Sequence, residues 1–323
     1  MFLVCINDLE ICNIFINDKN YAMKTYITRR NFLFSSAVTG MAASFPGLSF
    51  LSETQSDKQK AEPLNKTPLK IGLMTYLLGS KWDIETIIRN CTEAGYLSVE
   101  LRTTHAHGVE VTLTPAQRAE VRKRFEDSPI EKISLASAFQ YHSPDPAELK
   151  KNIEGTREYI LLARDVGAVG IRVFPNALPE NVPPEKTMEQ IGKALAEVGK
   201  FGYDHGVEVR VCVHGTRTDS VPVIKKIIDY SQSPYVYVNW NCNPSDAQGN
   251  GLEYNFNLVK DRIRGVHIHD LHDPSYPYRD FFRLLSAAGY KGYCNAEIGR
   301  ISCEPVEFMK VYKGLFLALQ NAI

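Results

Sequence analysis

The stretch VEVRVCVH at residues 207–214 alternates strictly between valines and polar or reactive side chains. Because side chains two apart in a strand share a face, Arg210, Cys212 and His214 should point one way and the valines the other. The valine face suits packing against helices, and the other face ends in a histidine at the carboxyl end of the segment. The segment therefore predicts a strand with one structural face and one face available for chemistry.

Similar strand-like segments alternate with helix-length amphipathic stretches from residue 69 onward. The predicted strands cover residues 70–76, 97–101, 132–139, 168–174, 207–213, 235–240, 263–269 and 293–298. Glycines close several of the intervening helices, at Gly95, Gly167, Gly206 and Gly289. Strands that are each followed by a helix, over about 255 residues, predict an α/β single-domain (β/α)8 TIM barrel. An open doubly wound sheet is the alternative.

Histidines concentrate where these strands end. Seven of the eight in the chain lie at or just after a predicted strand end: His105, His107, His142, His214, His267, His269 and His272. The active site of such a barrel lies at the carboxyl ends of its strands. A single inward histidine is explained equally well as filler hydrogen-bonded to a carboxylate, but so many around one rim indicate a functional mouth.

Alternation in the other strands selects further polar side chains for the barrel interior. The set comprises Glu100, Arg102, Arg172, Asn239, Asn241, His267, His269, Asn295 and Glu297. Arg102 and Arg172 end their strands and are suited to bind a carboxylate or phosphate, whereas deeper-lying Arg210 is expected to pair with Glu100. Trp240 and nearby tyrosines are candidates for stacking on the ring of a ligand.

The charge balance bears on the partners. Lysine plus arginine equals aspartate plus glutamate at 37 each, so no overall field attracts nucleic acid or an anionic membrane. A small uncharged or weakly charged ligand fits better, and a homo-oligomer or a role as a partner subunit stays open. The cysteines show no close pairing spacing, which argues against a disulfide framework and favours small buried residues.

The N-terminal part differs in composition from the barrel. TRRNFLF at residues 28–34 precedes a mild apolar stretch and resembles a twin-arginine export signal. That stretch is shorter than the roughly 20 residues a membrane span needs, so no stable span is expected. Residues 1–22 are interpreted as an over-extended start, 23–51 as the signal segment, 52–68 as a linker and 69–323 as the barrel. The protein is expected to be exported to the periplasm.

Several short motifs occur together in order along the barrel. EL at residues 100–101, VHG at 213–215, NWNCN at 239–243, VHIHDL at 266–271 and AEI at 296–298 resemble the xylose-isomerase-like barrels, the sugar phosphate isomerases and epimerases. The resemblance implies a divalent metal held by a glutamate, an aspartate, a histidine and a second glutamate. It also implies proton abstraction beside a carbonyl.

Carried onto this chain, the metal positions fall on Cys212, Asn241, His267 and Glu297. Cys212 and Asn241 stand where the resemblance implies two carboxylates, so a divalent metal (Mn, Mg or Zn) is doubtful, especially a hard one. Zinc accepts thiolate and imidazole, so Cys212, His214 and His267 keep a softer site open. Alternatively, Cys212 is a small buried residue.

Residues and resemblance together predict an enzyme that isomerises or epimerises a free sugar or keto-sugar. Glu297 and His214 are the predicted catalytic residues. The predicted substrate-binding residues are Glu100, Arg102, His107, Arg172, Trp240 and His269. Two alternatives stay open: a lyase that acts on 3-oxo-glycosides by elimination, and a non-catalytic carbohydrate-binding or partner barrel. Endonuclease activity is excluded, because it would need more carboxylates beside the histidines and a basic face.

Overall fold

Eight parallel strands close into a barrel in the computed structural model, which describes residues 68–321. The barrel strands are β1 (Lys70–Met74), β2 (Ser98–Arg102), β3 (Lys132–Gln140), β4 (Gly170–Phe174), β6 (Glu208–Cys212), β8 (Val236–Trp240), β9 (Ile263–Ile268) and β10 (Tyr293–Ala296). They follow one another around the barrel in this order, and β10 pairs again with β1. The closed sheet confirms the (β/α)8 barrel over the open sheet. The predicted start, signal segment and nearly all of the predicted linker lie outside the described residues.

One helix follows each barrel strand and packs against its outer face. The helices are α1 (Ile84–Ala94), α2 (Pro115–Glu126), α3 (Pro146–Val166), α4 (Pro184–Asp204), α5 (Val221–Ser231), α6 (Leu252–Val259), α7 (Tyr278–Ala287) and α8 (Pro305–Leu319). Local capping sets their ends: the Thr114 hydroxyl and the Gln117 side chain form a capping box on α2, and Gly95 ends α1 at φ 71°. Between residues 68 and 321, no helix has both the length and the apolar character of a membrane span.

A second, two-stranded parallel sheet lies beside the barrel and was not predicted. It consists of β5 (Asn176–Ala177) and β7 (Gly215–Thr216), which follow β4 and β6. Gly215 has φ 107°, and a Cβ there would overlap the Asn176 carbonyl oxygen, so the close approach requires glycine. The sheet ties together two neighbouring loops of the barrel mouth.

The two faces of the barrel strands differ as alternation predicts. Outward side chains such as Val209, Val211 and Ile268 are completely buried against the helices and form the main core. The interior is unusually polar, and its buried side chains are Ser98, Glu100, Ser134, Arg172, Arg210, Asn239, Asn241, His267 and Asn295. Buried polar groups need partners, so this interior requires a continuous hydrogen-bond network.

Candidate active site at the barrel mouth

A buried ion pair lies at the base of the mouth. His267 on β9 and Glu100 on β2 reach each other across the barrel interior, with His267 Nε2 2.9 Å from Glu100 Oε1 and each side chain 1% exposed. The Asn295 amide donates to the other carboxylate oxygen at 3.0 Å, and the Ser134 hydroxyl donates at 3.4 Å. These contacts hold Glu100 beneath His267, so Glu100 positions the imidazole and does not face the mouth.

The pair favours its charged form. Burial raises the pKa of Glu100, but the positive charge of His267 outweighs the effect of burial. Together with Arg172 and Arg210 at longer range, His267 holds the pKa of Glu100 at about 2. Burial likewise opposes protonation of His267, but Glu100, with help from Cys212 and Glu297, raises its pKa to about 10. His267 is therefore an imidazolium at neutral pH.

Three further predicted side chains surround His267 Nδ1. The Asn241 side-chain oxygen lies 3.2 Å from Nδ1, and the Glu297 carboxylate lies 3.5 Å away. Cys212 lies just below, with its Sγ 3.7 Å from both the Asn241 oxygen and the Asn239 amide. Glu297 is the outermost of the group, since its side chain is 21% exposed while Cys212 is buried. The four positions predicted to hold metal therefore come together.

Their chemistry does not fit a hard divalent cation. Only Glu297 contributes a carboxylate, and the imidazole of His267 is engaged by Glu100 on one side and by Asn241 on the other. Across residues 68–321, no three or more His, Cys, Asp or Glu side chains converge as a ligand set. Manganese and magnesium prefer several carboxylate oxygens, which this arrangement does not offer.

His214 lies on the rim after β6, two strands away from β9. The residue is exposed, and its ring packs on Phe174 with ring centroids 4.8 Å apart. Partial burial and the nearby Arg172 guanidinium lower the pKa of His214. The ring is therefore neutral at pH 7 and able to accept a proton. Glu297 follows β10, three strands away around the barrel, so the two predicted catalytic residues flank the mouth from different sides.

Arg172 and Arg102 lie at the same level of the barrel. Arg102 is in register with Ala136 of β3, which is in register with Arg172 of β4. Arg172 is buried, donates from Nη1 to the Ser137 carbonyl at 2.8 Å and lies over the Phe174 ring at 4.0 Å. Ser137 and Phe174 were missed by sequence reasoning, although Phe174 stands two residues after Arg172 and shares its face.

The predicted rim histidines differ in how far their rings are engaged. His107 is buried, with Nε2 2.7 Å from the Arg102 carbonyl and Nδ1 accepting from the Val109 amide at 3.0 Å, so it supports the loop from below. His269 lies in the mouth with Nε2 2.6 Å from the Asn241 carbonyl. His105 stacks on Tyr76, which is 43% exposed and was not singled out from the sequence. Tyr76 is therefore an exposed aromatic side chain just after β1, of the kind that was predicted to stack on the ring of a ligand.

Trp240 is corrected from substrate binding to core packing. Its side chain is completely buried and stacks on Phe281 of α7, with ring centroids 5.3 Å apart. Its indole N–H donates to the Tyr276 hydroxyl at 2.9 Å. Asn239 and Asn241, on either side of it, point inward, so alternation directs Trp240 outward, away from the mouth.

The expected partner of Arg210 is also wrong. Arg210 binds Glu208, two residues earlier on the same strand, with Nη2 2.5 Å and Nε 3.0 Å from one carboxylate oxygen. The guanidinium therefore points toward the N-terminal end of the barrel, away from Glu100. It lines a cavity of about 270 Å³ at that end, together with Lys132 and Lys291. In TIM barrels this end serves stability rather than catalysis.

Comparison with known proteins agrees with the barrel fold. Residues 88–310 match the family described as Xylose isomerase-like TIM barrel. No curated protein matches the sequence at a significant level. Among solved structures, an L-ribulose 3-epimerase superimposes with a TM-score of 0.67 at 16% identity, covering 79% of this chain and 95% of that one.

Two other solved structures carry the same fold. The 3-keto-D-glucoside 4-epimerase YcjR from E. coli has a TM-score of 0.62 at 15% identity and covers 77% of this chain and 99% of its own. The IolI protein with a bound zinc atom has a TM-score of 0.62 at 13% identity, with 78% and 98% covered. Such low identities establish the fold alone. The family match spans most of the barrel, and the chain belongs to the xylose isomerase-like TIM barrel family.

Proposed function

We propose that this protein is a sugar isomerase or epimerase that moves a proton on a carbon beside a carbonyl. The observation that carries the proposal is the position of Glu297, whose partly exposed carboxylate lies at the mouth against the buried His267–Glu100 pair. A carboxylate held in this way has a fixed direction and remains partly exposed to the mouth. Both properties suit a general base.

His214 supplies the second proton-transfer group. Its neutral imidazole accepts a proton at one side of the mouth while Glu297 acts from another, three strands away around the barrel. Epimerisation needs this arrangement, because one group removes the proton from one face of the carbon and another returns it to the opposite face. Isomerisation needs the same removal, followed by return of the proton to the neighbouring carbon.

The enediolate that forms needs donors or positive charge at its oxygens. The guanidinium of Arg172, fixed by the Ser137 carbonyl and the Phe174 ring, contributes positive charge through space without a direct hydrogen bond to the enediolate. Solved structures with the same fold include sugar epimerases, and the IolI protein was solved with a bound zinc atom. The donor set at Cys212 and Asn241 does not fit a hard cation, so these steps are assigned to protein side chains.

The test is exchange of carbon-bound hydrogen in deuterated water. Wild-type protein is incubated with a panel of ketoses, aldoses and 3-oxo-glycosides, and exchange beside the carbonyl is followed by NMR. Glu297→Gln keeps the side-chain shape and removes the base, so exchange should fall by about 100-fold or more. Glu304→Gln, at an exposed glutamate just beyond the site, is the matched control and should exchange at the wild-type rate.

The products separate the remaining alternatives. A new sugar epimer or isomer supports the proposal, whereas release of the aglycone from a 3-oxo-glycoside identifies a lyase that uses the same base. Binding of a sugar with no exchange by the wild type on any panel member would refute the catalytic proposal. The protein would then be a carbohydrate-binding barrel.

A further inference from the structure

Two buried arginines in this barrel have opposite surroundings. Arg210 is paired with Glu208 at 2.5 Å, as a buried guanidinium requires. Arg172 is 5% exposed, yet none of the ion pairs within 4.0 Å among the described residues involves it. A buried charge without a direct ion-pair partner is costly. Beyond the longer-range Glu100 carboxylate, the Arg172 guanidinium therefore has the capacity to pair directly with an anion.

The guanidinium of Arg172 is fixed along one edge and free along the other. Nη1 donates to the Ser137 carbonyl at 2.8 Å, and the cation lies 4.0 Å from the centre of the Phe174 ring. The Nε atom is buried and has no hydrogen-bond partner among the described residues. The remaining edge, formed by Nε and Nη2, is the one that binds a carboxylate through two parallel hydrogen bonds.

A second cation lies at the same level. Arg102 is in register with Arg172 through Ala136, and its Nη1 donates to the Thr103 carbonyl at 2.8 Å and to the Thr103 hydroxyl at 2.7 Å. It also has no carboxylate within 4.0 Å among the described residues. Burial and the charge of Arg172 lower the pKa of Arg102, and the charge of Glu110 opposes this shift.

We propose that the substrate is a sugar acid whose carboxylate binds the free edge of Arg172, with Arg102 as the second cation. This inference rests on the proposed function for the carbohydrate and adds the charge that the carbohydrate carries. One free guanidinium edge matches one carboxylate. A phosphate dianion would be repelled more strongly by the Glu297 carboxylate than a singly charged carboxylate would be.

The test compares matched ligands that differ only in charge. Binding to wild-type protein is measured by titration calorimetry for glucose and glucuronate, galactose and galacturonate, and fructose and fructuronate. Glucose 6-phosphate and fructose 6-phosphate form the phosphate arm. At least one acid should bind about tenfold or more tightly than its neutral counterpart and more tightly than the phosphate ester. A panel in which no acid outbinds its neutral counterpart overturns the proposal, and a phosphate ester that binds tightest replaces carboxylate by phosphate.

Substitutions test whether Arg172 causes the preference for the acid over the neutral sugar. Arg172→Gln should abolish the preference for the acid, and Arg172→Lys should retain only part of it, because lysine keeps the charge without the fork. Arg210→Gln is the control, since it removes a buried arginine of the same barrel at the opposite end and should leave the preference intact. An unchanged preference in Arg172→Gln would refute the assignment. Should Arg172→Gln fail to fold, a weakened preference for the acid in Arg102→Gln, together with the wild-type ligand comparison, still tests the proposal.

The same measurements separate this inference from the proposed function. Glu297→Gln should bind the acid with its preference intact while losing hydrogen exchange. Wild-type protein that prefers an acid but exchanges no carbon-bound hydrogen would refute the catalytic proposal and leave the carboxylate site standing. Hydrogen exchange on neutral sugars with no preference for an acid would support the proposed function and refute the carboxylate site.

Discussion

Replacing Glu100 by glutamine should change how stability depends on pH. The folded protein raises the pKa of His267 to about 10 from an ordinary value of 6.5. A raised pKa adds stability that is fully present below pH 6.5 and is lost as the pH rises toward 10. Between pH 7.0 and 8.5 the folded protein binds about one proton more than the unfolded chain, so the free energy of unfolding should fall by about 1.4 kcal/mol per pH unit from this group.

The Glu100→Gln variant removes this slope. Without the carboxylate, burial keeps His267 neutral in the folded state, and in the unfolded chain His267 is largely neutral above its ordinary pKa of 6.5, so little proton uptake accompanies folding at these pH values. Over the range from pH 7.0 to 8.5 the wild type should therefore lose about 2 kcal/mol relative to the variant. Cysteines and tyrosines that also titrate toward high pH affect both proteins alike and cancel in the difference.

Urea unfolding followed by circular dichroism, at half-unit steps of pH, measures both curves. The mirror-image effect should appear in acid: Glu100 has its pKa held at about 2, so it contributes stability that is lost as the pH falls through the range from 4.5 toward 2. Parallel wild-type and variant curves between pH 7.0 and 8.5 would refute the buried ion pair and would mean that His267 is neutral.

Three further predictions concern metal, export and packing. Purified protein should hold less than one manganese per chain by elemental analysis and should bind added manganese weakly in calorimetry. The double variant Cys212→Glu with Asn241→Asp should bind manganese more tightly, because it adds two carboxylates. One tightly held manganese per wild-type chain would contradict the conclusion that these side chains do not suit a hard cation. Changing Arg29 and Arg30 to lysine should abolish export, as fractionation and immunoblotting would show, and unchanged export would refute the twin-arginine assignment. Trp240→Phe should cost about 2 kcal/mol of unfolding free energy in urea denaturation, from a cavity and a lost hydrogen bond, while sugar binding stays at the wild-type level; weakened binding with unchanged stability would restore Trp240 to the mouth.

The fold was predictable because the strand pattern is local. Residues 207–213 were predicted as a strand and form β6 (Glu208–Cys212), and residues 263–269 contain β9 (Ile263–Ile268). Alternation reports which face a side chain takes, and the faces of Cys212 and His267 follow from it directly. The two-residue strands β5 and β7 carry too little pattern to be read from sequence.

Alternation does not report how far along the barrel axis a side chain reaches, and the errors at the site have this origin. Glu100 and Arg210 were both assigned to the interior, but their side chains point to different ends, so they do not pair. Trp240 stands between two inward asparagines, and its place near a strand end suggested the mouth although its parity directed it outward. Partners brought together across the barrel, such as Glu100 and His267, depend on closure of the sheet and have no local signature.

The small β5–β7 sheet has a consequence for how this site can change over evolutionary time. Arg172 lies in β4, and His214 lies in the segment after β6. The small sheet joins the segment after β4 to this segment after β6. An insertion in either segment would break hydrogen bonds of the other, so lineages that adapt to larger or differently shaped substrates should vary in the loops after β1, β2 and β9 instead. Comparison of loop lengths among close homologues would reveal such a division between a constant half of the rim and a variable half.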